Sequence, residues 1–480
     1  MAFLLDVFSL THTPAACSMS GAPAIGRPLP SLMINTSQRH VRRKILSCLL
    51  IAAAPLLAHA DDAPLFVPQW LGAQYTFVDQ NQSRVHSPYS GPLSLNANGS
   101  TARSHTFGGY FGIQLPERLQ FYLDVEMFKG EGVSGATGLG GLTNGDIIRS
   151  GVANLGKGPY VARAYLHWTV PLGDQMTTIA RGQDQLPGEE ATKHIEIKVG
   201  LMAVNDDFDK NRYANSTRTQ FMNWSLWNNT AWDFAADTRG YTDGLMVGWI
   251  MSGWSLRYGI YRMPIQANGQ PLEESLSEAS GQQLELTLQP QPDGWALRFL
   301  GFYNKGNMGI YQQAIDIAQA TGQQPSIHDD DAPGRHKFGF GINGELPLAD
   351  NGDTGLFMRA GWNDGHTESF IFTEVDRLLS GGFQLSGVHW GRSDDRFGLG
   401  VAIDGLSRIH SEYLTLGGDG FLLGDGTLRY GPEQIAEAYY SIAVINHLTI
   451  TPDLQFIRNP GYNRDRGPAR FAGLRAHIEF

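Results

Sequence analysis

From residue 69 onward the chain alternates apolar and polar positions with a period of two. Leu119, Phe121, Leu123, Val125 and Met127 fall on one side of a strand, and Gln120, Tyr122, Asp124 and Glu126 fall on the other. Ala162, Ala164, Leu166, Trp168 and Val170 oppose Arg163, Tyr165, His167 and Thr169 in the same way. Trp254, Leu256, Tyr258 and Ile260 oppose Ser255, Arg257, Gly259 and Tyr261. A soluble sandwich also alternates, but here the pattern recurs in segments of about ten residues, the length a tilted strand needs to cross a bilayer. About sixteen such segments are predicted, near 69–78, 103–115, 118–128, 159–170, 194–203, 243–250, 253–262, 282–289, 295–304, 336–346, 354–362, 381–390, 396–405, 434–444, 447–457 and 470–480.

The connections between them alternate short and long. Pro116-Glu117, Ser252-Gly253 and Asn446-His447 are turn-like, whereas 79–102, 129–158, 204–242, 305–335 and 406–433 are long. This is the layout of an all-β transmembrane antiparallel barrel with short periplasmic turns and long extracellular loops. One connection, 171–193, is long where a short one is due, which points to a further hairpin or a periplasmic excursion. The final segment, RFAGLRAHIEF, puts Ala472, Leu474, Ala476, Ile478 and Phe480 outward and Phe471, Arg475, His477 and Glu479 inward. A terminal Phe in register with an apolar stripe is typical of barrels inserted by the outer-membrane assembly machinery, so Phe480 is the expected contact with that machinery.

The start of the chain reads differently. Arg42, Arg43 and Lys44 precede the apolar run Ile45–Ala58, and Ala58-His59-Ala60 follows it. A charged segment, a short apolar segment and a small-x-small site make a signal peptide. Residues 33–60 are therefore expected to be a cleavable export signal, residues 1–32 an extension from a start codon assigned too early, and residues 61–480 a single barrel domain in the outer membrane. The apolar run is shorter than the roughly 20 residues of a spanning helix. Both cysteines, Cys17 and Cys48, precede the expected cleavage site, so the exported part has neither a disulfide framework nor thiol chemistry.

Composition agrees with a barrel. Hydrophobic residues make up 42% and glycine numbers 58, a profile of neither a helical membrane protein nor a disordered chain. The net charge is −11, and residues 1–60 carry five Lys/Arg against one Asp, so the exported part is more acidic still. An acidic chain of this kind argues against nucleic acid as a partner.

Candidate chemistry lies on the inward face and in one loop. Asp124, Glu126, Arg163, Arg257, Arg298 and Arg359 all share the inward phase. They are candidates for a pore constriction, because an Arg fork donates to sugar hydroxyls and a carboxylate accepts from them. The alternative is that such charges only keep the lumen wet. In the connection 204–242, Trp224, Trp227 and Trp232 sit among Asn223, Asn228, Asn229, Asp233, Asp237 and Arg239. Trp224 and Trp227 are candidates to stack on sugar rings, with packing against the wall or an interfacial girdle as the alternative.

Other motifs are poor. Asp207-Phe208-Asp209-Lys210-Asn211 starts like a calcium loop, but Arg212 stands where Gly is needed and Arg218 where the final Glu belongs. The histidines lack metal spacing, and no Ser has a suitable His and acid beside it. No catalytic residue, metal or cofactor is expected.

At the loop the sequence resembles a known family. NRYANSTRTQFMNW (211–224), AADTRG (235–240), LGDGTLRYGPEQIAEAYY (423–440), NPGYNRDRGP (459–468) and HSPYSGPLSL (86–95) resemble the carbohydrate-selective outer-membrane porins of the OprB type. The stretch Asp206-Asp207-Phe208-Asp209 departs from the family, which more often has a second Phe there. The resemblance implies a sixteen-stranded barrel that admits glucose and similar sugars, including small oligosaccharides, by passive diffusion. Its expected surroundings are carbohydrate solutes, outer-membrane lipid and lipopolysaccharide. Both a monomer and a trimer fit, as do a general or differently selective porin and a non-transport barrel such as an adhesin or an outer-membrane enzyme.

Overall fold

Sixteen antiparallel strands close into a barrel in the computed structural model, which describes residues 63–149 and 155–480. They are β1 (Pro68–Gln82), β2 (Ser100–Gln114), β3 (Leu119–Gly130) and β4 (Tyr160–Pro171), then, beyond a separate hairpin of β5 (Met176–Ile179) and β6 (Gly188–Ala191), β7 (His194–Met202), β8 (Thr242–Met251) and β9 (Trp254–Arg262). The series continues with β10 (Ser280–Leu288), β11 (Ala296–Met308), β12 (Ala332–Ala349), β13 (Thr354–Asn363), β14 (Arg377–Ser386) and β15 (Arg396–Gly405). It ends with β16 (Glu433–Ile445), β17 (Leu448–Arg458) and β18 (Ala469–Glu479). Each strand pairs with its sequence neighbour, except that β4 pairs with β7 and leaves the β5–β6 hairpin outside the barrel sheet.

The alternation in the sequence is the inside-out arrangement a bilayer requires. Leu284, Phe340, Leu379, Val401 and Leu454 are exposed on the barrel's outer face, while Thr76, Gln283, Asn343 and Thr451 are buried within. In water this would waste apolar surface; in lipid each outward Leu or Phe is solvated by hydrocarbon. The barrel closes between β1 and β18, in register from Gln74 opposite Glu479 to Gln82 opposite Phe471. Ala73 and Phe480 extend this seam by exchanging backbone hydrogen bonds of 3.1 and 2.9 Å. An open edge would leave such groups unpaired in hydrocarbon, at several kcal/mol, roughly, for each.

Three local expectations change. A bulge where β3 pairs with β4 shifts the register between Asp124 and Val125, so Val161 rather than Ala162 takes the outward phase. Val161 is exposed and Ala162 is wholly buried, packed with Ala203 and Tyr241. Strand β14 runs 377–386 rather than 381–390, and Gly387–Trp390 turns at the rim. The Gly381-Gly382 pair carries no side chains and so gives no phase with which to place the strand. Third, two long loops contain helices, Tyr311–Thr321 and Arg408–Thr415. Tyr311, Ala314, Ile315 and Ala318 are buried at helical spacing, and Ser407 caps the second helix by accepting from His410 N–H. No described helix is long and apolar enough to cross a membrane. The expected signal peptide and the extension before it, residues 1–60, lie outside the described residues.

Candidate functional site

Between β7 and β8 the chain does not cap the barrel but folds into it. Val204, Phe208, Tyr213, Phe221, Leu226 and Ala235 are all fully buried. A buried loop carries backbone N–H and C=O groups that water cannot reach, so the wall must satisfy them. Inward carboxylates do this from several strands. Glu285 on β10 accepts from Asp209 N–H at 2.8 Å, and Glu345 on β12 accepts from Arg212 N–H at 2.8 Å. Glu437 on β16 accepts from both Met222 N–H and Asn223 N–H, at 2.6 and 2.9 Å. Asp404 on β15 accepts from Ser225 Oγ at 2.6 Å, and Arg475 on β18 donates to the carbonyls of Thr217 and Gln220. The loop is thus tied to walls on both sides of the lumen. Much of the inward charge seen in the sequence serves to hold it.

The four arginines singled out by phase have different surroundings. Arg163 donates to Asp124 at 3.0 Å and to both oxygens of Asp206 at 2.6 and 2.9 Å. Asp184 lies 3.6 Å from its Nε, and its guanidinium sits over the Tyr241 ring at 5.4 Å. Arg257 pairs with Glu196 at 2.8 Å. Arg298 pairs with Glu345 at 3.2 Å. Arg359 has no exposed surface: it bonds Asp209 at 2.9 Å and the carbonyls of Leu226 and Ala214 at 2.8 and 2.7 Å. It is a clamp on the loop, and Asp124, equally buried, backs Arg163 rather than facing open space.

Among the described residues, two chambers of several hundred Å³ lie in the lumen beside the folded-in loop. One, of about 650 Å³, is lined by Glu126, Arg163, Arg218, Trp224, Trp227 and Tyr241, among others, and extends to His477 and Glu479 at the end of β18. The other, of about 720 Å³ beside the short turn Pro116–Arg118, is lined by Tyr122, His167, Glu196 and Arg257, among others. Of the eight residues expected at a constriction, Glu126, Arg163, Trp224 and Trp227 therefore share the first chamber and Arg257 lines the second. Asp124, Arg298 and Arg359 line neither.

Trp224 and Trp227 stand with ring centroids 4.9 Å apart, and Phe372 stacks on Trp224 at 5.0 Å. Asn223 caps their helical turn, Trp224–Trp227, by accepting from Ser225 N–H. Trp232 is packed away between Phe208 and Phe234. The first chamber also contains Arg218, a loop residue that strand phase does not reach, and Lys198, which phase places inward on β7. Arg218 bonds Glu126 at 3.1 Å and Asp146 at 2.7 Å, and Lys198 bonds Asp207 at 2.5 Å. Arg218 lies inside the NRYANSTRTQFMNW motif, which was the available signal for it.

The loops at the far rim interlock above this site. Asp376 accepts from His410 Nδ1 at 3.0 Å with neither side chain exposed. Burial alone would raise Asp376, but His410 holds it down at about 2. Burial pushes Glu368 up to about 8, even though Gly309 N–H donates to it at 2.8 Å. Among the described residues one group, His328, Asp331 and Glu368, has the spacing of cation ligands. His328 and Asp331 are already paired with each other at 2.9 Å.

The carbohydrate-selective porin family, OprB, matches residues 118–480 of the chain. Among solved structures, the high-pH form of Pseudomonas putida OprB is similar with a TM-score of 0.64 and 16% identity, covering 86% of this chain and 94% of that one. The low-pH form of the same protein has a TM-score of 0.42 at 13% identity, covering 86% and 92%. Salmonella typhi OmpF, in complex with daunomycin, has a TM-score of 0.43 at 10% identity, covering 85% and 97%. No curated protein matches the sequence.

Proposed function

The chain belongs to the carbohydrate-selective porin family, OprB, and on that footing we propose that it carries glucose-like monosaccharides and small oligosaccharides passively through the two lumen chambers. Family and fold are those of an outer-membrane porin for carbohydrates. One observation carries the assignment of residues. In the first chamber a guanidinium, a carboxylate and an aromatic pair face one space, as Arg163, Glu126 and Trp224–Trp227. A sugar offers hydroxyls that both donate and accept, and C–H faces that stack on rings. Paired charges of opposite sign suit such a neutral polyol better than an ion. Arg257 is the contact in the second chamber, while Asp124, Arg298 and Arg359 hold the frame that presents the others.

The remaining parts of the reading follow from the sequence. Residues 33–60 direct export and are removed, residues 1–32 precede the true start, and 61–480 form one barrel domain. Phe480 is the contact with the barrel assembly machinery, lipid and lipopolysaccharide surround the outer face, and the working unit is a monomer or a trimer. No cofactor, energy source or catalytic step takes part.

Liposome swelling with a panel of sugars, amino acids and salts tests this. Sugars are expected to enter faster than amino acids of equal size. Equal rates for solutes of equal size would make the chain a general porin, and no conductance from folded protein in planar bilayers would remove the channel altogether.

A further inference from the structure

The connection between β4 and β7 is the one departure from short turns at its rim that the sequence flagged. Residues 172–193 double back as β5 and β6, paired from Met176 opposite Ala191 to Ile179 opposite Gly188. The hairpin ends in a tight turn at Gln183-Asp184, closed by Gly182 and Gln185 through reciprocal backbone hydrogen bonds of 3.1 and 3.2 Å. Asp184 adopts φ 53°, a left-handed conformation that Asp tolerates better than most residues.

This hairpin does not hang outside the barrel. Leu186 is buried, and its N–H donates to Tyr122 Oη at 3.1 Å. A Cβ on Gly112 of β2 would come within 3.0 Å of the Leu186 side chain, so bare backbone admits the leucine there. Nearer the rim, Arg118 donates to Glu189 O at 3.1 Å and Thr169 to Glu190 at 3.2 Å. The shoulder and base are anchored, and the tip reaches to 3.6 Å from Arg163. Asp184, Gln185 and Lys198 line both chambers. One oxygen of Asp184, Oδ1, is buried without a hydrogen-bond partner, while the side chain as a whole is 18% exposed.

We propose that this hairpin is the inner gate of the pore and that Asp184, at the junction of the two chambers, is a specificity-determining residue for the passing solute. The inference rests on the carbohydrate-porin reading above. A sugar moving between the chambers meets the Asp184 carboxylate, which lines both, with Arg163 and Lys198 as donors beside it. An anion meets the same carboxylate as a repulsive charge, and an apolar solute finds nothing to replace its partners.

Three variants of the full chain in planar bilayers test the proposal, with heat-modifiable migration in gels reporting barrel closure. Asp184→Asn keeps the shape and removes the charge; glucose block of the ion current is expected to weaken about tenfold, matching one charge-assisted hydrogen bond. Replacing residues 176–191 by a short Gly-Ser turn is expected to raise single-channel conductance about twofold or more, since it joins the chambers. Asp184→Cys treated with a bulky methanethiosulfonate is expected to lose most of its conductance, with the untreated variant and treated parent as controls. This variant decides the question if the shortened chain does not close. A parent that glucose blocks, alongside variants indistinguishable from it, overturns the gate and leaves the porin standing. A parent that conducts but is not blocked by any sugar overturns the carbohydrate reading and the gate's specificity with it.

Discussion

Arg163 holds Asp206 through two parallel hydrogen bonds while a third of its N–H groups reaches Asp124. One guanidinium thus compensates wall and loop carboxylates at once, and sits in the lining of the first chamber. Arg163→Ala would leave Asp124, Asp206 and Asp184 without it. The expected result is a pore shifted toward cations by about threefold or more in permeability ratio, because a charge-lined low-dielectric passage focuses the field of what remains. Reversal potentials in a KCl gradient measure this, and an unchanged potential would place Arg163 outside the ion path.

Trp224→Ala removes one ring of the chamber's aromatic pair and the face on which Phe372 stacks. An aromatic contact is worth about 0.5–1.5 kcal/mol beyond its area, so sugar affinity read from current block should fall by about 2- to 12-fold. Trp232→Phe, at a packed position, should leave the block unaltered. The two variants separate stacking on solute from packing of the loop.

The arginines should divide by role. Inward phase alone expects Arg257→Ala and Arg298→Ala to weaken sugar block alike, whereas their places in the structure do not. Arg257 lines the second chamber, and its loss should weaken block while the barrel still closes. Arg298 lines neither chamber, so its loss should act on loop stability instead. Arg359→Ala should be the most severe, because breaking a fully buried pair costs about 3–5 kcal/mol. Release of the 203–241 loop would appear as larger, flickering conductance and as new protease cleavage between 203 and 241. A quiet, parent-like channel would show that the other anchors suffice.

The rim loops should respond to pH in two windows. Glu368 is protonated below about 8. Its folded pKa exceeds the unfolded value, so the folded loop binds more protons and stability falls as pH rises from the usual carboxylate range through 8. Asp376 is the opposite case, held at about 2 by His410 against its burial. Its contribution is present above the usual Asp value and is lost as pH falls toward 2. Limited proteolysis of residues 309–331 across pH 6–9.5 should show the first window, and Glu368→Gln should abolish it.

Strand positions were legible because a bilayer forces one face of every spanning strand to be apolar, and β15 begins and ends where the alternation places it, at 396 and 405. Legibility failed where that force is absent. Ala162 changes phase at a bulge, which pairing sets and composition does not reveal. The β5 and β6 strands are four residues each and face no lipid, so MTTI and GEEA carry no stripe. The helix Tyr311–Thr321 did have a signal, apolar residues at 311, 314, 315 and 318, inside what reads as a long loop. For the site, phase identifies what points inward but not what it meets there. Arg163 and Arg359 are equivalent in sequence pattern, and only the path of the 203–241 loop separates a chamber lining from a clamp.

The seam joining Ala73 to Phe480 also constrains how the molecule is made. Strand β1 needs β18 as its neighbour, and the two are separated by nearly the whole described chain, so closure is the most non-local pairing in the fold. Loop-closure entropy grows with separation, which makes this the last and slowest pairing to form. Until then β1 and β18 each present an unpaired ladder that aggregates readily in water and is costly in lipid. The barrel therefore needs an escort that shields both edges until they meet, and a chain truncated within β18 would be an open, sticky sheet rather than a slightly shorter pore.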